Sequence, residues 1–216
     1  MSKTFLVIGA GKFGGNLART LFQDGQEVMT IDRDAAKIND ISDYVTHALI
    51  GDTTDERVLE NVGVRDFDYV IISLAGDVRA SVITTVLCKE LGARYVIAKA
   101  SDSLHQKLLE KTGADMVIQP EREMGTRLAK SLVSDNIIDY LELSDKYSIH
   151  EIKVPRPWIG RSLMELDVRK KFEVSVIGIR RNEEILLALD PNDSFKADDV
   201  LILMGANSGL ERISLL

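Results

Sequence analysis

Thr4-Phe-Leu-Val-Ile8 runs directly into Gly9-Ala-Gly11-Lys-Phe-Gly14-Gly15. A short apolar stretch thus meets G-x-G-x-x-G at the head of a helix-like segment, the context in which that motif carries meaning. The first glycine allows a tight turn, the second lets a phosphate approach the backbone, and the third lets helix pack on strand. The helix start then offers free N–H groups and a partial positive charge to an anion. Eighteen residues past Gly14, Asp32 closes a second apolar stretch, Val28–Ile31. A carboxylate there can accept from both ribose hydroxyls and repels a 2′-phosphate, while the adjacent Arg33 softens that repulsion. The stretch predicts an adenine-nucleotide site.

Outward from this loop the pattern repeats. Phe5–Ile8, Val28–Ile31, His47–Ile50, Tyr69–Ser73, Tyr95–Ala98 and Met116–Ile118 read as strands of nearly continuous apolar character, as parallel strands covered on both faces require. Helical segments fall between them, at 14–24, 35–41, 56–62, 79–91, 104–112 and 122–132. Three close on Gly63, Gly92 and Gly113, which suit a left-handed cap. Strands alternating with such helices predict an α/β, Rossmann-like doubly wound parallel sheet.

Beyond about residue 140 the rhythm changes. Ser148–Val154 alternates, Pro155-Arg-Pro157 interrupts, and Val174–Ile179, Glu184–Leu189 and Val200–Met204 read as further strands, with a helix over Leu163–Lys171. The expected organisation is a nucleotide-binding lobe over 1–120, crossover helices over 121–143 and a small α+β lobe over 144–216.

Composition narrows the functional classes. The 216 residues carry 27 Lys+Arg against 34 Asp+Glu, a net charge of −7, and the sequence pI is about 5.1. No basic footprint is available to grip a phosphate backbone, which argues against nucleic acid as a partner. The single Cys88 cannot close an internal disulfide, which fits a reducing cytoplasm. No signal-peptide pattern opens the sequence, and no apolar run approaches the ~20 residues of a spanning helix, so any membrane role is expected through a partner.

Other residues at strand ends are candidates. Gly51-Asp52-Thr53 and Leu74-Ala75-Gly76 fall where ligands lie in open α/β sheets. Asp52 has a second reading, as the cap of the following helix. Lys99 either reaches a phosphate or ends its strand in solvent. Tyr95 and Lys99 share the Tyr-x-x-x-Lys spacing of short-chain dehydrogenases, but on a strand four residues separate the side chains by ~13 Å. That spacing works only on a helix, so the catalytic reading fails. His47, His105 and His150 have no metal-ligand spacing, and no nucleophile elbow or Walker A loop is present. A nucleotide site without a reacting group points to a sensor rather than an enzyme, with an NAD-dependent oxidoreductase or an NADH/NAD redox sensor as the alternatives.

Longer motifs carry a resemblance. Val7-Ile-Gly-Ala-Gly-Lys-Phe-Gly-Gly15, Tyr44-Val-Thr-His-Ala48, Gly51-Asp-Thr-Thr-Asp55, Leu108-Leu-Glu-Lys-Thr-Gly-Ala-Asp115, Pro120-Glu-Arg-Glu-Met-Gly125 and Asp199-Val-Leu-Ile-Leu-Met-Gly205 together resemble the RCK family. More closely, the chain is similar to the cytosolic regulatory subunits of bacterial Ktr/Trk-type K⁺ uptake systems, over essentially its whole length. The resemblance implies a homodimer assembling to an octameric ring, peripheral to the inner face of the cell membrane beneath a K⁺-translocating subunit. It implies ATP, ADP or NAD(H) at the first lobe, with exchange of ligand reshaping the ring to gate ion flow.

By the same resemblance Gly9, Gly11, Phe13 and Gly14 line the phosphates and Asp32 the ribose. Asp52, Thr53, Leu74 and Ala75 border the adenosine, and Lys99 approaches the phosphates. Position 12 is commonly Arg in the family, set against a terminal phosphate. Lys12 keeps the charge and loses the two-pronged geometry. Glu121 matches an acid that can meet Mg²⁺ or Ca²⁺ near the phosphates, its other reading being a carboxylate that complements a helix start. In the second lobe Leu163, Met164, Asp167, Arg169, Ser175, Val176 and Pro191 match a cyclic di-AMP site at a dimer interface. The other reading of that set is a plain hydrophobic dimer core with a surface Arg.

Overall fold

The fold is described from a computed structural model, over residues 2–74, 76–133, 136–182 and 184–216; the side chains of 130, 131 and 133 lie outside the description. The chain divides into two compact units, Met1–Pro120 and Glu121–Leu216.

In the first unit β1 (Thr4–Ile8), α1 (Lys12–Gln23), β2 (Glu27–Asp32), α2 (Ala35–Ile41), β3 (His47–Ile50) and α3 (Glu56–Val62) are followed by β4 (Tyr69–Ile72), α4 (Val78–Glu90), β5 (Val96–Lys99), α5 (Ser103–Lys111) and β6 (Met116–Ile118). The six strands are parallel, in the order β3-β2-β1-β4-β5-β6. This is the doubly wound order, whose connections diverge between β1 and β4 and leave a crevice at the strands' carboxyl ends. Alternate residues of β1 serve opposite faces. Leu6 and Ile8 join a core with Ile31, Leu59, Ile72 and Leu109, whereas Val7 packs with Ala18, Val28, Ile41 and Ile71. Continuous apolar character along the central strands β1, β2, β4 and β5 reflects burial on both sides, whereas the edge strands β3 and β6, expected to be covered likewise, are largely and partly exposed, respectively. Gly63, Gly92 and Gly113 all adopt positive φ, at 70°, 85° and 100°.

The second unit begins with α6, which spans Pro120–Val133 across the boundary. Its strands are β7 (Ile137–Ser144), β8 (Tyr147–Lys153), β9 (Val174–Arg181), β10 (Glu184–Leu186) and β11 (Val200–Ala206), with α7 (Leu163–Leu166), α8 (Val168–Phe172) and α9 (Asn207–Ser214). The sheet is antiparallel, in the order β10-β9-β11-β8-β7. Three sequence expectations are corrected here. Helical character over 121–143 gives way at Ile137 to β7, which pairs along β8. The helix expected over Leu163–Lys171 is two short helices, because Asp167 takes a left-handed φ of 48° between them. The strand expected over Glu184–Leu189 stops at Leu186. Asp199 is buried and accepts from both arms of Arg181 at 2.7 Å and from the Lys196 N–H at 2.8 Å. Burial alone would push its carboxyl up, but the guanidinium and the amide together hold it below the ordinary carboxylate value.

Among the described residues no helix is long and apolar enough to cross a membrane.

Candidate functional site

The glycine loop is shaped by contacts that only glycine tolerates. Gly9 has φ 96°, and a Cβ there would stand 2.7 Å from the Ser73 carbonyl oxygen. A Cβ on Gly14 would fall on the Gly9 carbonyl, so the third glycine lets α1 close onto the turn. Gly11 differs: a Cβ would meet nothing within 4 Å, which leaves open space beside the backbone where a phosphate needs to approach. Gly11 is also the N-cap of α1, with no side-chain cap and no acidic residue in the first turn. The helix start therefore presents its N–H groups and partial positive charge without internal competition.

Asp32, 7% exposed at the end of β2, fastens this loop. One carboxylate oxygen accepts from the Ala10 N–H at 2.8 Å and the other from the Asp34 N–H at 2.9 Å, while Lys37 Nζ lies 3.7 Å away. A carboxylate has about four lone-pair sites, so capacity remains for ribose hydroxyls.

A cavity of about 380 Å³ opens at these strand ends. It brings together Gly9, Gly11, Asp32, Arg33, Asp52, Thr53 and Leu74 of the sequence-derived candidates. Asp52 does not cap the following helix; Asp55 does, accepting from the Arg57 N–H. The Asp52 carboxylate accepts instead from the N–H and hydroxyl of Thr54, and the N–H bond in particular holds it below its ordinary pKa. Lys12, Phe13, Gly14 and Lys99 are not among the residues lining the cavity; Lys99 Nζ sits 5.6 Å from the centre of the Phe13 ring. Ala75 lies outside the described residues.

Sequence reasoning missed Lys37 and Asp77, both of which line the cavity. Lys37 could have been found one turn inside a helix capped by Asp34, the N-cap acting through the Ala36 N–H. Asp77 could have been found as the N-cap of α4, where it accepts from the Ala80 N–H at 3.0 Å. Nothing in the sequence signalled its ion pair with Arg33 at 3.6 Å.

Glu121 lies in the first turn of α6 and opens the second unit, and among the described residues no group of three or more His, Cys, Asp or Glu side chains could hold a metal ion. The second-unit candidates cluster only in part. The Met164 N–H donates to the Pro191 carbonyl at 2.9 Å, which joins those two segments, and Arg169 on α8 is exposed. Leu163 and Val176 pack against the core of the unit, and Ser175 lies opposite Met204 in the β9–β11 ladder. Asp167 forms the left-handed joint between α7 and α8.

A doubly wound sheet with a glycine loop, a carboxylate closing β2 and a cavity at the switch point defines the class of open α/β proteins that bind ligands at their strand ends. The chain belongs to the TrkA family: it matches the TrkA-N domain over residues 5–120 and the TrkA-C domain over residues 149–216. It is 40% identical to the Ktr system potassium uptake protein C of Bacillus subtilis over 212 residues, covering 98% of this chain and 96% of the relative. Identity to the Ktr system potassium uptake protein A of the same organism is 38% over 211 residues, covering 98% and 95%. Among solved structures, the GsuK RCK domain aligns with a TM-score of 0.70 at 19% identity, over 100% of this chain and 48% of that one. The GsuK channel bound to NAD aligns at 0.71 and 18% identity, over 99% and 40%. These likenesses establish an RCK fold.

Proposed function

We propose that this chain is the nucleotide-sensing regulatory subunit of a Ktr/Trk-type K⁺ uptake system and is not an enzyme. The observation that carries the reading is the cavity in which Gly11's open backbone and the Asp32 carboxylate face the same space, in a chain 40% identical to a potassium uptake protein. The uncapped start of α1 takes the phosphates, Asp32 takes the ribose, and Arg33, Thr53 and Leu74 border the base. ATP, ADP and NAD(H) share these contacts, and GsuK has been solved with NAD and with ADP.

Regulation follows by population shift: two ligands gate ion flow only if they differ in affinity for two ring shapes. The subunit sits at the inner face of the membrane through its K⁺-translocating partner and pairs into a ring of even number. The lobe over 1–120 senses nucleotide, 121–143 leads across, and 144–216 dimerises. Cyclic di-AMP binds the latter where exposed Arg169 meets phosphate and the joined Met164 and Pro191 segments meet adenine.

Native mass spectrometry of the freshly purified chain tests this. A dimer or even-numbered ring retaining adenine nucleotide supports it. A ligand-free monomer, or one retaining NADP, overturns the ring and the role of Asp32 and returns the oxidoreductase reading to the front.

A further inference from the structure

Two loops that line the cavity are tied to α4, each by different chemistry. Thr53, in the turn after β3, is 5% exposed, and Thr84 on α4 is fully buried. Their hydroxyl oxygens are 3.0 Å apart, and Thr84 Oγ1 is also 3.3 Å from the Thr53 carbonyl oxygen. One proton arrangement satisfies both contacts: Thr84 donates to the carbonyl and Thr53 donates to Thr84 Oγ1. The Thr53 hydroxyl proton is therefore engaged inside the protein.

At the start of the same helix, Asp77 uses its two oxygens separately. Oδ1 caps α4 through the Ala80 N–H, and Oδ2 stands 3.6 Å from Arg33 Nη1. Arg33 and Asp77 both line the cavity, so this pair joins the turn after β2 to α4 beside the ligand space.

We propose that Asp77 and Thr84 are positioning residues for the bound nucleotide, acting from α4 through Arg33 and Thr53. The proposal rests on the reading of the cavity as an adenine-nucleotide site. If the glycine loop holds phosphate and Asp32 holds ribose, the base lies toward the remaining lining residues, among them Arg33, Thr53, Leu74 and Asp77. A guanidinium plane held by Asp77 stacks on a base, and a turn held by Thr84 keeps the Thr53 backbone at a fixed distance from it. One helix thus sets the separation of two walls before the ligand arrives. That lowers the ordering cost of binding.

Calorimetric titration of the full chain with ADP, and separately with inorganic pyrophosphate, tests this. Thr84→Val keeps the shape and removes the hydroxyl, Thr84→Ser restores it, and Asp77→Asn keeps a competent cap while removing the ion pair. Thr84→Val is expected to weaken ADP about tenfold, the scale of one lost hydrogen bond, and Asp77→Asn about threefold. Thr84→Ser should stay within about twofold of the native chain, and pyrophosphate, which reaches only the glycine loop, should bind all four proteins alike. An unchanged ADP affinity in either Thr84→Val or Asp77→Asn removes that residue from the proposal. Equal weakening of pyrophosphate, or failure of Thr84→Ser to rescue, reduces the effect to general loosening and overturns it. A native chain that binds none of ADP, ATP and NADH overturns the cavity reading itself, and the proposal with it.

Discussion

Seven candidate ligand residues of the first unit, drawn from four turns scattered over more than sixty positions from Gly9 to Leu74, meet around one cavity. Those of the second unit come from fewer segments, yet they divide between an exposed surface at Met164 and Arg169 and a core edge at Leu163 and Val176. Topology accounts for the contrast. Parallel strands deliver every following turn to the same end of the sheet, so residues distant in sequence converge there without help. Antiparallel strands deliver successive turns to alternate ends, so convergence needs another surface. The first site is thus assembled by one chain's topology. The second, on the reading proposed here, is completed by a second copy.

The largest expected effect that separates the two units is on stability. Asp199→Asn leaves the Arg181 guanidinium without its bidentate partner and is expected to cost about 3 kcal/mol, confined to the second unit. Hydrogen exchange resolved by segment should show increased opening in β9 and β11 with ADP affinity unchanged. Because the folded carboxyl is held below its unfolded value, this contribution is full above pH ~4 and is lost as pH falls through the folded value. The variant should therefore be less acid-sensitive than the native chain. An effect that spreads to the nucleotide affinity would show that the two units do not act separately.

Next is Asp32→Ala, expected to weaken ADP about 100-fold by calorimetry, equivalent to roughly 2.7 kcal/mol. It removes both the proposed ribose acceptor and the bond that fastens Ala10 in the glycine loop. Unfolding of the second unit should not change. Unaltered ADP affinity would remove Asp32 from the site.

How far each unit was legible follows the same division. His47–Ile50, Met116–Ile118 and the helices over 35–41 and 56–62 have the bounds read from sequence: the helices start on aspartate caps, Asp34 and Asp55, the second ends on the left-handed Gly63, and the two strands are short, mostly apolar runs at the sheet edges. The stretch Ile137–Ser144 reads poorly. Its partly exposed positions include Ile138, Leu141 and Leu143, so the apolar alternation that marks a one-sided strand is blurred. The short α9 had no expectation at all; it packs through Leu210 and Ile213 into the second core, a tertiary fact that propensity does not carry. At the site, residues defined by backbone geometry were legible and those defined by a partner were not. Gly9 and Gly14 follow from a motif, whereas the ties of Asp77 to Arg33 and of Thr84 to Thr53 span 44 and 31 positions and exist only in the fold.

A smaller effect is expected in the second unit. Arg169→Ala is expected to weaken cyclic di-AMP about tenfold, the scale of one charge-assisted contact to phosphate, without changing ADP affinity. Measured across protein concentration, the native affinity should rise as dimer forms. Concentration-independent binding by a monomer would show that the second site, like the first, is complete in one chain.

The smallest expected change is at Lys12. It is the first residue of α1, exposed and outside the cavity lining, where a terminal phosphate would be met at the solvent margin. An ammonium there acts as a hydrated point charge, whereas a guanidinium can hold two phosphate oxygens at once. Solvent screening keeps the difference small, so Lys12→Arg should raise the ratio of ATP to ADP affinity by about threefold, mainly by strengthening ATP. The ratio is informative because loop distortion would move both ligands together, while a contact to the third phosphate moves only one. An unchanged ratio would place recognition of the terminal phosphate with other groups, the backbone amides of α1 and Lys99 foremost among them.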